Sequence, residues 1–155
     1  MLKRRNRGVS GDTKFEGCKV LISPPQLLIT DDDTALRETL RSALEPRGFR
    51  TVTAGDGAEA LAIVQRQPIH LLLTDMYMPR MTGLETIRRV KQVRVTLPCI
   101  LLSASLDDAL AEKAKQAAAF SVLSKPVRFA DVTRAIYKAL HDVYGWSHAA
   151  DEPPA

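Results

Sequence analysis

Ile69-His70-Leu71-Leu72-Leu73-Thr74-Asp75-Met76-Tyr77-Met78-Pro79-Arg80-Met81-Thr82-Gly83 is the stretch that decides the fold. Its first half is a short apolar run of the kind that forms a buried parallel strand, and its second half is a loop punctuated by Pro79 and Gly83. Asp75 stands at the junction. In open α/β sheets the ligand crevice lies outside the carboxyl ends of the strands, so the spacing predicts Asp75 at the mouth of a site.

Three further apolar runs also end in reactive side chains. Leu27-Leu28-Ile29-Thr30 runs into Asp31-Asp32-Asp33, Cys99-Ile100-Leu101-Leu102 into Ser103-Ala104-Ser105, and Phe120-Ser121-Val122-Leu123-Ser124 into Lys125-Pro126. Parallel, adjacent strands would bring the acids, the hydroxyl and the amine to one edge of the sheet.

The periodicity predicts strands at 27–30, 50–53, 69–74, 98–102 and 120–124, alternating with helices at 34–46, 57–66, 83–94, 107–118 and 129–143. One-sided apolar spacing supports the helices, with Leu36, Leu40, Ala43 and Leu44 in the first and Phe129, Val132, Ile136, Leu140 and Val143 in the last. Gly48 reads as a helix stop, and Ala54-Gly55-Asp56-Gly57 as the turn into the second helix. Five βα units of this length imply an α/β fold, a doubly wound five-stranded parallel sheet with right-handed crossovers and helices on both faces.

At 155 residues, 45% hydrophobic and 26% charged, the composition is that of one soluble globular domain. No apolar run reaches the roughly 18 residues needed to span a bilayer, and no apolar stretch follows the basic start as a signal peptide would require. A cytoplasmic protein without membrane insertion is therefore expected. Cys18 and Cys99 form neither a disulfide framework nor a metal-ligand cluster, and Cys99 reads as a small core residue. The net charge of +4 resides in an arm: Lys3, Arg4, Arg5, Arg7, Lys14 and Lys19 stand against Asp12 and Glu16, leaving sixteen residues of each sign beyond it. Residues 1–26 thus read as a basic, flexible N-terminal arm closed by Pro24-Pro25, in which Val20-Leu21-Ile22 could add a brief strand.

Asp31, Asp32 and Asp75, brought together, would repel one another unless a cation neutralised them. Oxygen donors of this kind suit Mg²⁺, which binds through one or two carboxylates with water and carbonyl oxygens completing an octahedron. A carboxylate is also a nucleophile toward phosphorus, and an aspartyl phosphate would need the positive charge of Lys125 and the hydroxyl of Ser103 beside it. Each residue alone has a plainer reading. Asp31 to Asp33 could be acids at a helix N-terminus, Ser103 a turn or N-cap, Lys125 a solvated surface residue and Asp75 a loop acceptor. Four such residues at four strand ends favour a phosphoryl-transfer site.

With these residues in place, Leu27 to Val143 resembles a response-regulator receiver domain of two-component signalling, the CheY-like family. Asp31-Asp32 correspond to the family's acidic pair and Asp75 with Met78-Pro79 and Gly83 to its phosphoacceptor loop. Ser103-Ala104 correspond to the switch hydroxyl and its small neighbour, and Lys125-Pro126 to the lysine and its following proline. The resemblance implies a flavodoxin-like sheet of order 2-1-3-4-5, with Asp75 as phosphoacceptor assisted by Lys125 and Ser103. It further implies Mg²⁺ held by Asp32, Asp75 and the Tyr77 carbonyl, with Asp31 acting through water. The phosphoryl donor would be a sensor histidine kinase or phosphotransfer protein.

Three positions depart from that pattern. Val122 stands where the family carries an aromatic switch residue, Val127 replaces a common Phe, and Gln116-Ala117-Ala118-Ala119 lacks the usual glycine. The chemistry is untouched, but the expected conformational response is small or uses other contacts. By the same resemblance, Tyr77 and Ser105 occupy positions that in related domains influence the access of water to the acyl phosphate.

Beyond Val143 only Tyr144-Gly145-Trp146 and a polar stretch to residue 155 follow, so output is expected through a partner on the face of helix 4, strand 5 and helix 5, or through self-association. A constitutive adaptor, independent of phosphorylation, is the alternative. Tyr137, Tyr144 and Trp146 read first as packing on their own domain and second as a contact patch. DNA binding by the basic arm is set aside because no aromatic residues interleave and no reader fold adjoins it. A hydrolase is set aside for want of a dedicated general acid.

Overall fold

The four apolar runs are strands; the three inner ones are buried throughout because both faces of the sheet are covered there, whereas the run at 120–124 is an edge strand and only partly buried. In a computed structural model, which describes residues 24–147, five parallel strands lie in the order β2-β1-β3-β4-β5. The strands are β1 (Gln26–Thr30), β2 (Arg50–Ala54), β3 (Leu71–Asp75), β4 (Cys99–Ser103) and β5 (Ser121–Ser124). The helices between and after them are α1 (Thr34–Leu44), α2 (Gly57–Arg66), α3 (Gly83–Val93), α4 (Asp108–Gln116) and α5 (Phe129–Tyr144). This is the doubly wound parallel sheet expected from the sequence, in the flavodoxin-like order that the resemblance implies.

Side chains alternate across the sheet, and each strand therefore feeds two cores. Leu28, Leu72, Cys99 and Leu101 pack with Ala60, Ile63, Ile87, Val90 and Leu110 beneath α2, α3 and α4. Leu27, Ile29, Leu71, Leu73, Ile100 and Leu102 pack with Leu40, Leu44, Val132, Ile136 and Leu140 beneath α1 and α5. Cys99 is a core residue as expected, fully buried, and burial pushes its thiol pKa up to about 12. Val143, placed on the apolar face by its spacing, is instead 37% exposed; beyond Leu140 it is Tyr144 that packs on this core.

Element ends follow local chemistry. Asp33, Asp56 and Asp107 cap α1, α2 and α4 by accepting from the N–H groups of Leu36, Glu59 and Leu110, and Thr82 with Glu85 forms a reciprocal capping box on α3. The first helix stops at Leu44, two residues earlier than its periodicity suggests. Pro46 draws the next three residues into a 3-10 turn that closes on Gly48, at φ 97°. Ile69 is buried, but the ladder of β3 starts only at Leu71. The Ile69 carbonyl accepts from the Arg94 guanidinium, which also donates to the carbonyls of Val64 and Gln67.

Gln26, assigned by the sequence to the arm, is the first residue of β1 and is buried. The rest of the arm's proposed features, Lys3, Arg4, Arg5, Arg7, Lys14, Cys18, Lys19 and Val20-Leu21-Ile22, lie outside the described residues, as do residues 148–155. At the other end the aromatic residues pack on their own domain. Tyr137, Trp146 and Phe49 lie within 5.7–6.2 Å of one another by ring centroid, and the Tyr144 hydroxyl donates to the His70 carbonyl at 2.9 Å. Among the described residues no helix is long and apolar enough to cross a membrane.

Candidate functional site

Strand register delivers the site. Thr30 pairs with Thr74, Asp75 with Leu102, and Ser103 with Ser124, so Asp31, Asp75, Ser103 and Lys125 all emerge at one end of neighbouring strands. The ladder continues one step past the strands, through Met76 N–H to the Leu102 carbonyl and Lys125 N–H to the Ser103 carbonyl, each at 2.8 Å. These bonds fix the exit direction of both loops. The site lies where β1 and β3 diverge toward opposite halves of the sheet, the crevice that doubly wound folds use for ligands.

Asp31, Asp32 and Asp75 each present a carboxylate oxygen within 4.8 Å of the others. Lys125 Nζ lies 2.7 Å from Asp75 Oδ1 and 3.4 Å from Asp31 Oδ2. Three carboxylates against one ammonium leave a formal excess of two negative charges, which a dication would cancel. The donor set, oxygen throughout, fits Mg²⁺ rather than a softer metal. The aspartate triplet divides its labour: Asp31 is buried, Asp32 is exposed at the mouth, and Asp33 caps α1.

Burial is the main influence on Asp31 and raises its pKa. The Asp33 N–H, donating at 2.9 Å, pulls the other way, the Asp75 charge adds to the rise, and Lys125 opposes it, for a net increase. Burial alone would lower the pKa of Lys125, but its hydrogen bond to Asp75 and the charges of Asp31 and Asp75 outweigh that effect and raise it. The ammonium is thereby held charged beside the acids.

Two backbone devices support Asp75. Gly83 starts α3 so close beneath the strand end that a Cβ there would overlap the Asp75 carbonyl oxygen, and its N–H donates to the Met76 carbonyl at 2.8 Å. Arg80 adopts a left-handed φ of 71°, and its guanidinium reaches Asp56 at 3.0 Å, tying this loop to the one before α2. Sequence reasoning missed Arg37. From the second turn of α1 its Nη1 donates to the Asp31 carbonyl at 2.7 Å and its Nη2 to Thr34 Oγ1 at 3.3 Å. The signal available was an arginine beside the apolar stripe residue Leu36, one turn after the acids.

Ser103 is fully buried, and its Oγ accepts from the Ser105 N–H at 3.1 Å and donates to the Ser105 carbonyl at 3.2 Å. The hydroxyl is thus engaged by its own loop rather than by Asp75, and it is Asp107, not Ser103, that caps α4. Tyr77 is 55% exposed on the loop after Asp75. Val122, partly buried, packs on the core cluster beneath α4.

Residues 27–137 match the family model of the response regulator receiver domain. The chain belongs to this family. Relatives include the probable chemotaxis protein CheY of Rhizobium etli, 37% identical over 72% of this chain and 88% of its own length. The response regulator receiver protein CpdR of Brucella abortus is 33% identical over 74% of this chain and 96% of its own. The transcriptional regulatory protein GlrR of Escherichia coli is 35% identical over 83% of this chain, but the matched region spans only 28% of that protein. Among solved structures, a CheY-like receiver domain protein from Methanospirillum hungatei aligns with a TM-score of 0.75 at 27% identity, over 77% of this chain and 96% of its own. Receiver domains bind Mg²⁺ and carry phosphate on an aspartate as their general mechanism, and the Asp31, Asp32 and Asp75 group of this receiver could hold such an ion.

Proposed function

We propose that this receiver accepts a phosphoryl group on Asp75 from a sensor histidine kinase or phosphotransfer protein and signals through protein contacts. The observation that carries the reading is Lys125 Nζ bridging Asp75 Oδ1 at 2.7 Å and Asp31 Oδ2 at 3.4 Å, beside a third carboxylate. A carboxylate oxygen of Asp75 attacks phosphorus, the N–P bond of the donor phosphohistidine breaks, and the imidazole departs with the bonding pair, its proton on the other ring nitrogen. Lys125 stabilises the charge on the transferred group, and Ser103 turns from Ser105 to donate its hydroxyl to it. Asp32, Asp75 and the Tyr77 carbonyl would hold Mg²⁺, with Asp31 acting through water; when bound, the ion neutralises the clustered oxygens.

Leu36, Ala104, Pro126 and Val127 surround Lys125 with an apolar depression of about 460 Å³, suited to a donor helix. This reading places the protein in the cytoplasm, where kinase domains and their phosphodonors act. Downstream, a protein would bind the face of α4, β5 and α5, or two copies would associate there. Incubation with acetyl phosphate and Mg²⁺, followed by mass mapping, is expected to place one phosphoryl group on Asp75 and none on an Asp75→Asn chain. Phosphate on another residue would overturn the assignment.

Val122 supports a second reading, a receiver-like adaptor that binds its partner constitutively, because no aromatic ring is present there to report the state of Ser103. Amide shift mapping with beryllofluoride separates the two. Shifts confined to the site favour the adaptor, whereas shifts spreading over α4, β5 and α5 favour the switch.

A further inference from the structure

Beside the acceptor, on the far side of the Asp75 loop from α1, α3 and α4 enclose a groove of about 530 Å³. We propose that this groove docks an acidic peptide segment of a partner protein, with one apolar side chain seated on its floor.

The volume lies within the roughly 300–1,000 Å³ typical of built ligand sites. The floor is apolar: Leu84 and Leu110 are 4% and 7% exposed, and Met76 completes it. The walls are charged. Arg88 comes from α3 and Lys113 from α4, and among the described residues neither side chain has an ion-pair or hydrogen-bond partner. The acid on the lining, Asp107, already accepts from the Leu110 N–H at 2.8 Å as the cap of α4. Tyr77 stands at the rim with 55% of its surface exposed, a rigid aromatic of the kind enriched in interfaces. Two uncommitted cations above an apolar floor match acids flanking an aliphatic or aromatic anchor. The basic residues 3–19 of this chain have the wrong sign for it.

The groove also shares walls with the acceptor. Met76 and Tyr77 follow Asp75 directly, and the Ser105 backbone on the lining holds the Ser103 hydroxyl through both its N–H and its carbonyl. Turning Ser103 toward a phosphoryl group releases both Ser105 groups and alters that wall. Peptide affinity and phosphoryl state are therefore linked, and by reciprocity the docked peptide also biases Ser103. This linkage rests on Asp75 being the acceptor; the docking does not.

The test is display selection of random short peptides on the full chain, followed by ¹⁵N–¹H titration with the enriched sequences. Enriched peptides are expected to carry acids around an apolar residue and to shift Met76, Tyr77, Arg88, Ser105 and Lys113. The double variant Arg88→Glu, Lys113→Glu should weaken them about tenfold or more, and Lys115→Glu on the same helix about twofold or less. Tyr77→Ala, which leaves both cations in place, should also weaken them. Selection of neutral or basic peptides, no enrichment, or equal binding by the double variant would overturn the docking site. Binding of a synthetic peptide of residues 147–155, which contains Asp151 and Glu152, at the same amides would overturn the assignment to a partner and make the occupant a second copy of this chain. Repeating the titration with Mg²⁺ and beryllofluoride should change the affinity about threefold or more. Unchanged affinity with an adduct present on Asp75 overturns the linkage, while failure to form the adduct counts against the acceptor reading alone.

Discussion

Arg37 Nη1 donates to the carbonyl oxygen of Asp31 at 2.7 Å, so a helix side chain holds the backbone that carries the acidic pair. Arg37→Met would leave that carbonyl without its charged donor. We expect a stability loss of about 1–2 kcal/mol. A severalfold weaker affinity for Mn²⁺, measured by electron paramagnetic resonance, should accompany it. Loss of stability with unchanged metal affinity would limit Arg37 to holding the fold.

Lys125 is the cation paired with both Asp31 and Asp75. Lys125→Met removes it, and repulsion among the carboxylates then goes unopposed. The variant should melt at a lower temperature without divalent ions and gain more from Mg²⁺ than the parent does, because the ion binds only the folded arrangement. Chelation should abolish the difference in gain. A smaller Mg²⁺-dependent rise in Tm than that of the parent would contradict the account.

Arg94 donates to the carbonyls of Ile69, Val64 and Gln67 at 2.9, 3.0 and 2.6 Å, closing the end of α2 onto the approach to β3. Charge-assisted bonds to partly buried carbonyls are expensive to lose. Arg94→Met should cost about 2–4 kcal/mol in urea unfolding, with Lys retaining only part of the effect, since an ammonium lacks the planar fork.

Ala118 adopts φ 63° after α4, where the Ala119 N–H reaches back to the Ala114 carbonyl at 3.0 Å in a Schellman-type closure. The left-handed region costs an L-residue about 1–2 kcal/mol, and glycine's extra freedom in the unfolded chain offsets part of the relief. Ala118→Gly should therefore stabilise the domain by about 0.5–1 kcal/mol in the same assay.

His70 Nδ1 accepts the Gln26 N–H at 2.9 Å, and burial, with the charges of Arg94 and Arg50 adding to it, lowers the imidazole pKa below its ordinary 6.5. The unfolded chain thus binds a proton more readily than the folded one. Stability should rise with pH between the depressed folded value and 6.5, and the penalty should be complete below that window. Urea midpoints from about pH 5 to about pH 8 should show a slope that His70→Asn flattens.

Much of this domain is legible in its sequence. The apolar runs at 27–30, 69–74, 98–102 and 120–124 read as strands, the first three of them buried throughout, and alternation with helices left a parallel sheet as the consistent solution. Because the reactive residues sit at the ends of those runs, strand polarity put Asp31, Asp32, Asp75 and Lys125 at one edge, and the strand order implied by the receiver resemblance made them neighbours. Val143 and the early end of α1 were misplaced for local reasons: periodicity does not say where a helix leaves its core, and Pro46 changes the helix type before the apolar spacing stops.

The tertiary structure alone decided the rest. Arg37 and Arg94 spend their guanidinium groups on carbonyls, and a backbone acceptor carries no residue-type signature in the sequence. The engagement of Ser103 by Ser105, the closeness of Gly83 to the Asp75 carbonyl, and the groove between α3 and α4 depend on angles and separations between packed elements. Composition and order determine which chemical groups meet at the end of a parallel sheet. How each group is oriented, and which cations remain uncommitted for a partner, is settled only when long-range packing fixes the loops in space.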